Sequence, residues 1–186
     1  KRVDEALTQL SLNAIIAFLI LLLIMAIHFK SMGDSLLVAS AFVPATIGAL
    51  LSLQLLNLAL YQPLDIISLM GFIVMCGIVA NSAILIVQEF NSHKNNLGEV
   101  VAIEKAVSSR TRPICLTVIT TVGGLIPMIL FPDESTVIYR GLATVVAGGV
   151  LVGSIFSLVA LPRLILSCHQ FNTTKQPHQS TIEAIN

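Results

Sequence analysis

The stretch IISLMGFIVMCGIVANSAILIV, residues 66–87, contains no Asp, Glu, Lys or Arg. At a rise of about 1.5 Å per residue, a helix of this length crosses a hydrocarbon core of roughly 30 Å. Upstream, residues 6–28 and 36–56 are equally poor in charge, interrupted only by His28, Phe29, Lys30, Asp34 and Asp65. Downstream, residues 113–132 and 141–162 repeat the pattern. Hydrophobic residues make up 55% of the chain and charged residues 11%, where a soluble domain carries about 25% charged. The bilayer is therefore the expected solvent, and membrane lipid the first expected partner.

The expected architecture is an all-α membrane protein. Its transmembrane region covers residues 1–168, with helices at about 6–28, 36–56, 66–88, 113–131 and 140–167. Pro44 falls inside the second, a position tolerated in a bilayer where neighbours satisfy the freed carbonyl. Between the third and fourth, Leu97, Val100, Val101, Ile103 and Val107 alternate with Glu99, Glu104 and Lys105. That pattern predicts an amphipathic segment over about 97–109 on the cytoplasmic membrane surface. Residues 169–186 show no periodicity and are expected to be a disordered cytoplasmic tail.

Five spans with short connections alternate sides. Lys30, Lys94, Lys105, Arg110, Arg112, Arg163 and Lys175 then share one side, seven of the ten Lys and Arg residues, and Lys1, Arg2 and Arg140 the other. The excess places the 88–112 link and the C-terminus in the cytoplasm and the N-terminus outside. Residue 1 is Lys rather than Met, and an outside start requires an earlier span. The sequence is accordingly expected to be a piece of a longer protein.

Zero formal net charge gives nucleic acid no basic footprint to grip. Cys76, Cys115 and Cys168 form no CxxC pair, and the four histidines are scattered, so no metal site or cofactor is expected. Neither a nucleophile–base pair nor a phosphate loop points to an enzyme. What remains is uncharged and polar. Asn81 and Ser82 sit mid-span, with Gly77 and Gln88 on the Asn81 face; Thr117, Thr120, Thr121 and Gly124 form a stripe at i, i+3, i+4 and i+7. Gly149, Gly153 and Ser157, beside Gly148, have the small-xxx-small spacing of close helix packing. For Asn81 and the threonines, packing and function remain open alternatives. A mid-membrane amide is costly without partners.

The run Gly71 to Val87 resembles the tenth transmembrane helix of the resistance-nodulation-division (RND) efflux transporters. AVSSRTRPICLT, residues 106–117, is similar to that family's Arg-x-Arg-Pro start of helix eleven, with Arg110, Arg112 and Pro113 in the motif positions. Residues 141–162 resemble its last helix, with the same Gly-Leu-Ala, Gly-Gly and Pro pattern. Phe29-Lys30-Ser31, Val43-Pro44 with Gly48, and Asp65-Ile66 are similar to its helix eight to nine region. The resemblance, which covers roughly residues 6–166, implies helices eight to twelve of a twelve-helix pump in the bacterial inner membrane. It further implies proton-driven export of small molecules, a homotrimer, a periplasmic adaptor, an outer-membrane channel, and an N-terminal half bearing a proton-binding aspartate pair. The family's usual helix-ten lysine is replaced here by Asn81, and Thr117 matches its relay threonine; Ser82 and Thr121 adjoin them. Two alternatives stand beside a pump. One is a truncated or degenerate fragment without transport, the other a non-efflux relative such as a protein-export accessory.

Overall fold

A computed structural model describes residues 32–59 and 65–173, together with Gln9, Leu12, Ile15, Ile16, Leu19, Ile20 and Leu23. Those seven positions are helical, and the rest of the helix expected at 6–28 lies outside the described residues, as does the tail beyond residue 173. Among the described residues the structure is entirely helices and turns. Four stretches are long and apolar enough to cross a membrane: Gly33–Leu58, Ile66–Lys94, Glu99–Leu130 and Val137–Ser167. The protein spans the membrane as an all-α bundle.

The first of these stretches is two helices, α1 (Met32–Ser40) and α2 (Phe42–Ala59), where one was expected. Pro44 is the cause. It brings no N–H to the Ser40 carbonyl and its ring crowds that oxygen, so the helix stops at Ser40 and restarts with proline in its first turn. The break is tightened locally, with Ala41 N donating to Val38 O at 3.1 Å and Ser40 Oγ to Leu37 O at 2.6 Å.

Helix α3 (Ile66–Leu97) opens on an Asp65 cap, which accepts from Ser68 N at 2.8 Å and Ser68 Oγ at 2.6 Å. It runs past the expected boundary at residue 88 as far as Gly98. Gly98, at φ +79°, is the single residue between α3 and α4 (Glu99–Leu130). Positive φ costs an L-residue roughly 1–2 kcal/mol, which explains glycine at this turn. Residues 97–109 are thus no separate surface element; from Glu99 onward they are the first turns of α4. Burial carries the helices through this polar stretch, because Phe90 of α3 and Ala102, Ile103 and Ala106 of α4 all belong to the buried core. Pro113 removes one hydrogen bond from α4 without stopping it.

A 3-10 turn, Val137–Tyr139, leads into α5 (Arg140–Thr173), which runs past the expected end at 167 and takes in residues 169–173 of the expected tail. Helix α5 packs against α2, α3 and α4. Its contact with α2 is backbone to backbone. A Cβ on Gly148 would collide with Ser52 and come within 2.9 Å of Gly48 O, and one on Gly48 would lie 2.9 Å from Gly148 O. A Cβ on Gly149 would run into Met75, and one on Gly153 would lie 2.8 Å from Val79 Cγ2. Ser52 Oγ spans this close approach, 3.0 Å from Thr144 O and 2.8 Å from Ala49 O. Helix α4 is the exception to the tight packing. Only 6% of its apolar window is buried, against 44–56% for the other three spans.

Candidate functional site

The polar residues of α3 and α4 sort cleanly by face. On α3, Met70, Ile73, Val74, Gly77, Asn81 and Gln88 are exposed, while Val79, Ser82, Ala83 and Ile86 are buried. Asn81 has no hydrogen-bond partner among the described residues, and a Cβ at Gly77 would meet nothing within 4 Å. Ser82 turns inward, its hydroxyl 3.3 Å from Ile78 O. On α4, Thr117, Thr120, Gly123 and Gly124 are exposed, and Thr121 is half-buried on the edge of the core face formed by Ile114, Val118 and Leu125. The exposed hydroxyls are satisfied within their own helix: Thr117 Oγ1 donates to Pro113 O at 3.0 Å, and Thr120 Oγ1 lies 2.9 Å from Leu116 O. Each keeps lone pairs free to accept.

At the hairpin end an ion pair shows how α3 and α4 face each other. Arg110 Nη2 and Nε both reach Glu89 Oε2, at 2.5 and 3.1 Å. His93 Nδ1 sits one turn on, 3.1 Å from Glu89 O and 3.7 Å from Glu89 Oε1. Beside it Asn91 Nδ2 donates to Asp34 Oδ2 at 2.6 Å, tying α1 to the same end of α3. Arg112 and Pro113 point outward. With about 100° per residue, Asn81 stands roughly 80° around α3 from Glu89, and Val79 and Ile86 stand on the opposite flank. On α4, Thr117, Gly124 and Thr120 stand roughly 20°, 40° and 80° from Arg110, again on the flank away from the buried Ile114 and Val118. Asn81, Gln88, Thr117 and Thr120 therefore share the outer flank of the α3–α4 seam, where all four are exposed and border a polar groove. Gly148, Gly149 and Gly153 lie away from it, at the crossing of α5 with α2 and α3.

Glu89 did not emerge from the sequence. Its pairing with Arg110 follows only once Gly98 is recognised as the turn between two continuous antiparallel helices. Hydropathy instead drew a polar link across that turn.

The family model for the AcrB/AcrD/AcrF transporters matches residues 1–169. The chain belongs to this RND family. It is 31% identical over 157 residues to an uncharacterized transporter of Haemophilus influenzae, covering 82% of this chain and 15% of that protein. The cobalt-zinc-cadmium resistance protein CzcA of Cupriavidus metallidurans is 27% identical over 173 residues, covering 91% and 16%. Multidrug resistance protein MdtC of Escherichia coli is 27% identical over 185 residues, covering 97% and 18%. A crystal structure of a heavy metal efflux pump superposes with a TM-score of 0.66 at 29% identity, over 87% of this chain and 16% of that one. The chain spans less than a fifth of the length of these relatives. It is a membrane-spanning part of a protein of this family.

No group of three or more His, Cys, Asp or Glu among the described residues could hold a metal ion. The groove offers two amides, Asn81 and Gln88, and the exposed hydroxyls of Thr117 and Thr120, with no formal charge among them. Such a surface hydrogen-bonds to water or to a carboxyl group in either protonation state.

Proposed function

We propose that the chain supplies helices eight to twelve of a proton-driven efflux transporter for small molecules, and that the α3–α4 groove receives the proton-binding carboxylates of the other half. The observation that carries this is the open groove itself: a mid-span amide without a partner among the described residues, beside hydroxyls and glycines that nothing covers. A polar group facing lipid is costly, so such a surface calls for a polar companion. Asn81 would be the uncharged hydrogen-bond partner of those carboxylates, with Thr117 beside it and Ser82 and Thr121 behind the groove wall. An amide in the family's lysine position supplies no counter-charge, so the carboxyls would ionise at higher pH than in relatives that carry the cation. The same reading takes in a homotrimer with a periplasmic adaptor and an outer-membrane channel, seated in the bacterial inner membrane with the C-terminus cytoplasmic.

The test uses the protein expressed from its complete gene, in inverted membrane vesicles, following proton movement on substrate addition across pH. Asn81→Leu should abolish coupling while inserting normally, and Asn81→Lys should retain transport and move its pH dependence downward. Unchanged transport and pH dependence in both variants would reduce Asn81 to a packing residue.

A further inference from the structure

Beyond Ile114, helix α4 is held in the bundle mainly by partly buried apolar residues such as Val118 and Leu125. Apolar contacts are non-directional, and they specify the rotation of a thinly covered helix weakly. Yet the groove exists only if α4 presents Thr117, Thr120 and Gly124 on the Asn81 side. A turn of about 80° would carry Thr120 into the seam or the lipid-facing Ile119 into the groove. A directional bond at the base of α4 is available to set that angle. Two of the three guanidinium nitrogens of Arg110, Nε and Nη2, converge on one oxygen of Glu89, whose side chain is 18% exposed. His93 lies against the other oxygen. Charge-assisted, two-pronged bonds of this type fix orientation as well as distance. The Asn91–Asp34 bond anchors α3 to α1 two residues on, so Glu89 projects from a helix that is itself tied down.

Resting on the transport reading above, we propose that Glu89 is a positioning residue of the groove: by holding Arg110 it sets the rotation of α4, so that the threonines and Asn81 share one wall-to-wall polar surface. Glu89 touches no transported species and carries no proton in this role.

Distances between spin labels at Ile73 and Ile119, both exposed and outside the groove, report the rotation. The protein expressed from its complete gene, with Cys76, Cys115 and Cys168 replaced, would be measured in lipid nanodiscs. A rotation of roughly 60° moves a side chain on a helix about 10 Å across by about 5 Å, mostly sideways for Ile119 on the far side of α4, so the distance to Ile73 changes by about 2 Å. Glu89→Ala and Arg110→Ala should each shift or broaden the distance on that scale, and the double variant should do no more than either single one. Exchanging the pair, Glu89→Arg with Arg110→Glu, should return the parent distance. Glu89→Gln, which preserves shape, should shift it less than Glu89→Ala and guards against loss of folding. Unchanged distances in the single variants, additive shifts in the double, or an exchange as displaced as the single variants would each overturn the positioning role. Efflux of ethidium and of cadmium from cells separates the two readings. If the distances shift while neither these variants nor Asn81→Leu alter efflux, the positioning role stands and the transport reading falls. Unchanged distances remove the positioning role whatever the efflux.

Discussion

Gly148→Ala is the perturbation that most directly probes how the bundle is held. The added methyl has nowhere to go. It would overlap Ser52 and sit 2.9 Å from the backbone oxygen of Gly48, and backbone cannot rotate aside as a long side chain can. Helices α2 and α5 must separate, at the overpacking cost of about 1–3 kcal/mol. Separation also strains the Ser52–Thr144 bond, and interhelical bonds in membranes average about 0.6 kcal/mol. Against this, alanine recovers roughly 0.8–1.0 kcal/mol of helix propensity. The net expectation is a loss of about 0.5–3 kcal/mol. Gly77→Ala and Gly123→Ala are the controls, since nothing lies within 4 Å of a Cβ at either. They keep the propensity gain and pay no steric penalty, so both should be neutral to slightly stabilising. The assay is SDS titration of the purified chain from mixed micelles, followed by far-ultraviolet circular dichroism. If Gly148→Ala unfolds at the same SDS fraction as the two controls, the close α2–α5 crossing does not hold this bundle together.

Three other outcomes are expected. Gly98→Ala and Gly98→Asn both force an L-residue to φ +79°, ψ 160°, a region kept almost wholly for glycine, and each should cost about 1–3 kcal/mol in the same titration; a neutral outcome for either would argue against this backbone conformation. Asp65→Ala removes the cap of α3 and should cost about 0.5–2 kcal/mol, while Asp65→Asn should be nearly silent because asparagine caps as well; a large Asn effect would mean that charge matters more than the bond to Ser68 N. A cysteine placed at Asp133, in a background without the native three, should react with impermeant maleimide from the periplasmic side in spheroplasts; labelling from the cytoplasm alone would invert the orientation drawn from the Lys and Arg distribution.

The membrane spans were legible because each apolar run is long enough to settle its own solvent, whatever packs around it. The exposed face of α3 was legible too, since Gly77, Asn81 and Gln88 fall at helical spacing and share the face left open. Sequence reasoning ran short where tertiary packing overrules local polarity. Gln88 to Arg112 reads as a link, yet burial of Phe90, Ala102 and Ala106 in the core sustains helix on both sides of one glycine. The helix expected at 36–56 splits for the converse reason, a local covalent constraint at Pro44 that hydropathy does not weigh. Thr121 was grouped with Thr117 and Thr120 by spacing alone. Only the position of α4 in the bundle shows that Thr121 leans toward the core while the other two face out.

The hairpin at Gly98 has a mechanical side. Each arm is 32 residues, about 48 Å of continuous helix, while the hydrocarbon it crosses is only about 30 Å thick. About 18 Å of stiff rod is left over, enough for the Gly98 tip to serve as the handle of a pair of tongs, with the Glu89–Arg110 bond near the rivet. Because neither arm is interrupted by a flexible loop, a sideways displacement at the handle is felt by the jaws, and a closing of the jaws around Asn81 is felt at the handle.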